Sequence, residues 1–171
     1  PSLQVTVVSG DPADTRAVHR VDAVHERDLP GLIQAAERSD AVVLGGGGLF
    51  QDYFGLDERT MLSRLHWGLT FYGAFPVLAA LQHRPFVLHG VGVGPLETAD
   101  GQRYTRMIFE RASLATVRDE ESHTLLRSIG VPVDRVDVSA DPAFLIESAP
   151  AGNTEALLAE AGVPHDRAGL V

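Results

Sequence analysis

Apolar positions along this chain recur in two periods, and each period predicts its own kind of element. Short apolar runs closed by turn residues predict buried strands over residues 4–9, 41–44, 85–91, 114–117 and 133–139, with a further short strand over 21–24. Between them the apolar positions fall at helical spacing. Residues 13–18 predict a short helix. Leu29, Leu32, Ile33 and Ala36 share one face of a second, with Asp28 as its cap and Pro30 tolerated in its first turn. Tyr104, Met107, Ile108 and Arg111 mark a helix starting near 98–100. Leu125, Leu126 and Ile129 mark another, capped by Asp119, led by Glu120 and Glu121, and stopped by Gly130. Asn153 is expected to cap a last helix that ends at Gly162, with Pro164 beyond. The uncharged stretch 67–81 predicts a buried helix kinked at Pro76. Gly68, Gly73 and Pro76 interrupt it too often for an ordinary membrane span, and a membrane-surface contact is the minor alternative.

Strands alternating with helices predict an α/β fold: a doubly wound, mainly parallel, Rossmann-like sheet. In such sheets ligands sit outside the carboxyl ends of the strands. The unusual residues gather at those ends. Gly45, Gly46, Gly47 and Gly48 follow the strand at 41–44, and Gly90, Gly92 and Gly94 close the strand at 85–91. Arg118 and Asp119 end a third strand and Asp141 follows a fourth. Four strand ends carrying special residues point to one shared cleft.

Four successive glycines exceed what a tight turn requires. They permit positive φ and lay main-chain amides bare for an anion or a sugar, with Gln51 and Asp52 beyond them for hydroxyl groups. The plain alternative is a turn with no ligand, and for Gln51 and Asp52 simple solvation. The second glycine run reads equally as a strand-to-loop turn. Arg118, at a strand end beside a helix start, stands where an anionic substrate would dock, although it would also serve a surface ion pair. Asp119 reads as a helix cap rather than a catalyst. Asp141 serves equally as a turn cap before Pro142 or as a substrate ligand. His89, inside an apolar run, reads as a hydrogen-bonded core residue.

Composition narrows the function. The net charge of −9 over 171 residues argues against nucleic acid or an anionic membrane as a general partner, while leaving room for a small anion held by one or two arginines. With no cysteine, thiolate chemistry and disulfides are excluded, and a cytoplasmic location is allowed. The seven histidines show no metal-ligand spacing, and there is no serine-nucleophile turn, phosphate-loop lysine or dinucleotide fingerprint.

Several segments together resemble the polysaccharide pyruvyl transferase family. They are residues 40–52 (DAVVLGGGGLFQD), 90–95 (GVGVGP), 115–122 (ATVRDEES), 126–130 (LRSIG) and 139–144 (SADPAF). Each is weak singly; their order and spacing from about Val5 to Phe144 are fairly specific. The resemblance implies transfer of the enolpyruvyl skeleton of phosphoenolpyruvate to two hydroxyls of a sugar, giving a pyruvate ketal and phosphate. It implies a glycan acceptor from a cell-surface polysaccharide precursor, free or lipid-linked, no cofactor beyond phosphoenolpyruvate as donor, and work in the cytoplasm or at the inner face of the membrane. The implied architecture is similar to one lobe of a two-lobed GT-B protein. Arg118 then becomes the catalytic anion clamp. Gly45–Gly48, Gln51, Asp52, Gly92, Gly94 and Asp141 become substrate-binding residues, with no metal.

Against the family pattern, an opening strand with a Gly-Asp-Glu segment is absent, a second lobe carrying a histidine acid/base would begin near 168–171, and His89 replaces an uncharged amide. Residues 1–171 are therefore expected to form a single α/β lobe of a longer protein, inactive alone, with a sheet edge through which it would dimerise. A GT-B glycosyltransferase using a nucleotide sugar, or a non-catalytic lobe of the same fold, remain the alternatives.

Overall fold

The computed structural model of the chain describes residues 3–63, 68–148 and 151–163. They fall into two compact units, Pro1–Asp141 and Pro142–Val171. In the first, β1 (Thr6–Ser9), α1 (Pro12–His19) and β2 (Asp22–His25) form a parallel pair with its crossover helix, aligned from Thr6 against Asp22 to Ser9 against His25. The Asp11 carboxylate accepts the amides of Ala13 and Asp14 and so starts α1. Asp28 caps α2 (Leu29–Arg38) through the Gly31 amide, as its position foretold.

A second sheet positions the site. Its strands are β3 (Val42–Gly45), β4 (Gly48–Phe50), β5 (Phe86–Val93), β6 (Leu114–Val117) and β7 (Val136–Val138). They run parallel in the order β3-β5-β6-β7, with β4 also pairing β5. The crossovers are α3 (Leu69–Leu81), α4 (Ala99–Arg111) and α5 (Glu120–Ser128). This is the expected α/β, Rossmann-like fold, with two parallel sheets among the described residues where one was predicted. Phe50, Leu69, Leu88, Ile108, Val91, Val117 and Leu126 are fully buried between sheet and helices. Each such side chain stabilises the fold by about 1.5–3 kcal/mol. Phe50 meets the Phe109 ring at a centroid distance of 5.1 Å.

Several expectations change. The glycine run does not end its strand. Gly46 and Gly47 bulge out at φ +80° and +75°, and the strand then resumes as β4 along the end of β5, with Gly48 aligned to Gly92 and Phe50 to Val93. The Gly92 amide donates to Gly47 O and the Gly94 amide to Phe50 O, so one ladder runs on past the bulge. His89 is exposed rather than buried, because it alternates with Phe86 and Leu88 on the opposite face of β5. That face also carries Val43 and Leu114, 59% and 51% exposed. Val133 opens a 3-10 turn after Pro132, which delays the last strand of the sheet to Val136.

In the second unit, α6 (Ala151–Glu160) begins before Asn153, which is thus inside the helix and not its cap. Gly162, at φ +70°, ends it as expected. Pro164, and Trp67 at the expected start of α3, lie outside the described residues. No described helix is long and apolar enough to cross a membrane.

Candidate active site

β6 ends at Val117, and the Arg118 amide donates to Val91 O, which holds this residue beside the end of β5. The side chain then crosses the backbone of the neighbouring strands. A methyl group placed on Gly92 would lie 2.7 Å from Arg118 Nε and 2.8 Å from Cζ. One placed on Gly48 would lie 3.5 Å from Nη2 and 3.8 Å from Gln51 Oε1. The guanidinium therefore occupies the space that a side chain at 92 would fill and lies within ordinary contact of one at 48. Its Nη1 donates to Asp141 Oδ2 at 3.2 Å, and its Nε lies 3.4 Å from Asp119 Oδ2. Arg118 and Asp119 are each 36% exposed at the side chain and Asp141 23%, so the group borders solvent.

Local chemistry explains this placement. Asp119 caps α5 by accepting the Ser122 amide at 2.7 Å. The Ser122 hydroxyl, foremost, and then the Ser122 amide and the Arg118 guanidinium hold the Asp119 carboxyl below the usual carboxylate range, against the opposing pull of burial. Ser122, buried, receives the Val93 amide on its hydroxyl oxygen, and Thr116 receives that of Gly90. The Thr116 hydroxyl thus satisfies a backbone donor where β5 is irregular against β6, between Leu88 and Val91, and Ser122 satisfies one beyond it.

The structure brings Arg118, Gly48, Gln51, Gly92 and Asp141 together. Gly46 and Gly47 turn an open side outward, with nothing and only Leu49 Cδ2, respectively, within 4 Å of an added methyl group. The Gly46 amide, expected bare, donates to His89 O. Gly45 backs onto the same carbonyl, 3.0 Å from an added methyl group. Gly94 faces Leu125 of α5 rather than the arginine. Asp52, read as a partner for sugar hydroxyls, is 4% exposed. Its oxygens accept the Glu97 amide, the Thr98 amide and the Thr98 hydroxyl, which leaves it holding the start of α4 in place.

Sequence reasoning missed one feature. A cleft of about 760 Å³ opens at the end of β2, between the start of α2 and the flank of α3, lined among others by His25, Arg27, Leu62 and Phe71. No motif marks it, because its walls meet only in the fold. Among the described residues no group of three or more His, Asp or Glu side chains could hold a metal ion.

The arginine–carboxylate cluster thus lies at the carboxyl ends of a parallel α/β sheet, the place where ligands of such sheets sit. The family model for polysaccharide pyruvyl transferase matches residues 1–169 of the 171, and the chain belongs to that family of transferases. No match was found among curated proteins or among solved structures.

Proposed function

We propose that the chain binds phosphoenolpyruvate against Arg118 for transfer, as a pyruvate ketal, to two hydroxyls of a sugar in a cell-surface polysaccharide precursor. The observation that carries this reading is the Arg118 guanidinium lying over Gly92, tethered at Nη1 by Asp141 and presenting Nη2 towards Gly48 and Gln51. A guanidinium offers paired donors in one plane, which suits the carboxylate or phosphate of the donor. Such a clamp also stabilises charge on phosphate as it departs.

The transfer forms two bonds from sugar oxygens to the enol carbon and breaks the bond from that carbon to the phosphate oxygen. One hydroxyl proton ends on the methylene, which becomes methyl, and the other leaves with phosphate. This chemistry requires no cofactor. On this reading Arg118 positions the donor, and Gln51 and Asp141 meet the sugar hydroxyls.

The test follows phosphate release and acceptor mass gain in the full-length protein. Arg118→Ala is expected to lower kcat/KM for phosphoenolpyruvate by about a hundredfold or more, with Arg118→Lys between it and the parent. Normal turnover in Arg118→Ala would remove the clamp. A protein that ignores phosphoenolpyruvate and binds a nucleoside diphosphate sugar would be a glycosyltransferase of related fold instead.

A further inference from the structure

We propose that Tyr53 and Phe54 form the platform on which a sugar ring of the glycan acceptor stacks; this rests on the glycan-transfer reading above. The two residues are the corners of a tight turn closed by the Gly55 amide donating to Asp52 O at 2.9 Å. Their rings meet at a centroid distance of 4.3 Å and an angle of 53°, and the residues are 57% and 54% exposed. Turn corners are ordinarily filled by small or polar residues, and two adjacent aromatic residues left more than half exposed forgo part of their apolar burial. An exposed apolar pair of this kind marks a contact surface.

The turn is held rigidly. Asp52 donates its amide to Pro95 O at 3.2 Å and spends its buried carboxylate on Glu97 and Thr98. The base of the turn is thereby fixed to the segment that leads from β5 into α4. Rigid aromatic surface loses little entropy when a ligand covers it.

Its position matches an acceptor site. Gln51, next to the turn, reaches the same glycine as Arg118 Nη2. At about 3.8 Å per residue, the Cα atoms of Tyr53 and Phe54 lie within about 8 and 11 Å of that of Gln51. A sugar ring on the pair would bring its neighbour in an oligosaccharide to the arginine. A pyranose has an apolar face of C–H groups, which stacks on an aromatic ring while its hydroxyls stay wet. The Tyr53 hydroxyl and the Gln51 amide offer polar partners at the rim. The described basic neighbours Arg59 and Arg103 are each paired with an acid, Asp57 and Glu58, which disfavours the rival occupant, an anionic membrane surface.

The experiment compares the full-length parent with Tyr53→Ala, Phe54→Ala and the double variant, with Tyr53→Phe as the conservative control. Binding of the methyl β-glycosides of glucose, galactose, N-acetylglucosamine and N-acetylmannosamine is read by saturation-transfer NMR, and phosphoenolpyruvate binding separately by calorimetry. The expected result is sugar binding weakened about tenfold or more in the double variant, with Tyr53→Phe near the parent and the phosphoenolpyruvate affinity unchanged. Sugar binding that is absent in the parent, or unchanged in the double variant, overturns the proposal. So does loss of co-sedimentation with phosphatidylglycerol vesicles in the double variant while sugars bind as before. A parent that binds sugars through this pair but ignores phosphoenolpyruvate supports the platform and rejects the donor assignment.

Discussion

Thr98 gives the Asp52 carboxylate two hydrogen bonds of 2.6 Å, one from its amide and one from its hydroxyl, across 46 residues of chain. The Glu97 amide adds a third at 2.9 Å. The same Thr98 hydroxyl oxygen accepts the Gly101 amide and caps α4. One buried carboxylate thus fixes the end of the glycine loop to the start of a core helix.

Replacing that carboxylate by alanine strands these donors, and an unmet buried donor costs about 1–3 kcal/mol. Asp52→Ala is expected to lower unfolding free energy by about 2–4 kcal/mol in urea denaturation. The pH dependence has a definite sign. Burial alone would raise the Asp52 pKa, but the Thr98 hydroxyl and the Glu97 and Thr98 amides outweigh it and hold the pKa below its ordinary value of 3.8. The folded state then binds this proton less readily than the unfolded chain does. Its stabilisation is full above pH 3.8 and is lost as pH falls through the depressed value. Asp52→Asn should remove that acid-limb dependence and leave the slope near neutrality as it was.

Gly92→Ala separates the site from the fold. Gly92 does not have a positive φ, so an alanine backbone fits, but the methyl group would stand 2.7–2.9 Å from Arg118 Nε, Cζ and Nη2. The arginine must move while the core need not. We expect a melting temperature within a few degrees of the parent and pyruvyl transfer reduced about tenfold or more. Unchanged transfer would mean that the position of the guanidinium does not matter.

Gly73→Ala tests the packing of α3 on α4. Its methyl group would collide with the Tyr104 ring, whose hydroxyl reaches Met61 Sδ at 3.4 Å. Alanine gains up to about 1 kcal/mol in helix propensity, whereas overpacking costs about 1–3 kcal/mol. Tyr104 is 2% exposed and has little room to yield, so overpacking wins and the variant melts lower. A higher melting temperature would show that the two helices separate freely.

Asp141→Asn removes the charge that tethers Arg118 Nη1. A pair this exposed contributes about 1 kcal/mol or less to folding, so stability should hardly change. The expected change is a several-fold rise in the donor KM. A large loss of stability without a change in KM would make Asp141 a turn cap and no more.

Much of the fold was legible because its signals are local. Asp28 and Asp119 each announce the helix that begins at the next residue, and the apolar runs of β3, β5 and β6 are bounded by turn residues. The clustering around Arg118 was legible for a related reason: parallel strands bring their carboxyl ends together, so residues there converge. What stayed hidden depends on distant partners. Gly48 resumes a strand because the end of β5 lies beside it, and the glycines give no sign of that. Asp52 looks like a free polar residue until Thr98 arrives. His89 lies in an apolar run, and only its alternation with Leu88 turns it outward.

The floor beneath Arg118 is made of residues that have no side chain to lose. At Gly48 and Gly92 every possible substitution adds atoms, and none removes any. Single changes there can crowd or shut the site but cannot enlarge it. On the proposed reading, room for a bulkier donor would have to come from the arginine's other neighbours, Asp119, Asp141 and Gln51, the adjustable borders of a site whose floor is fixed.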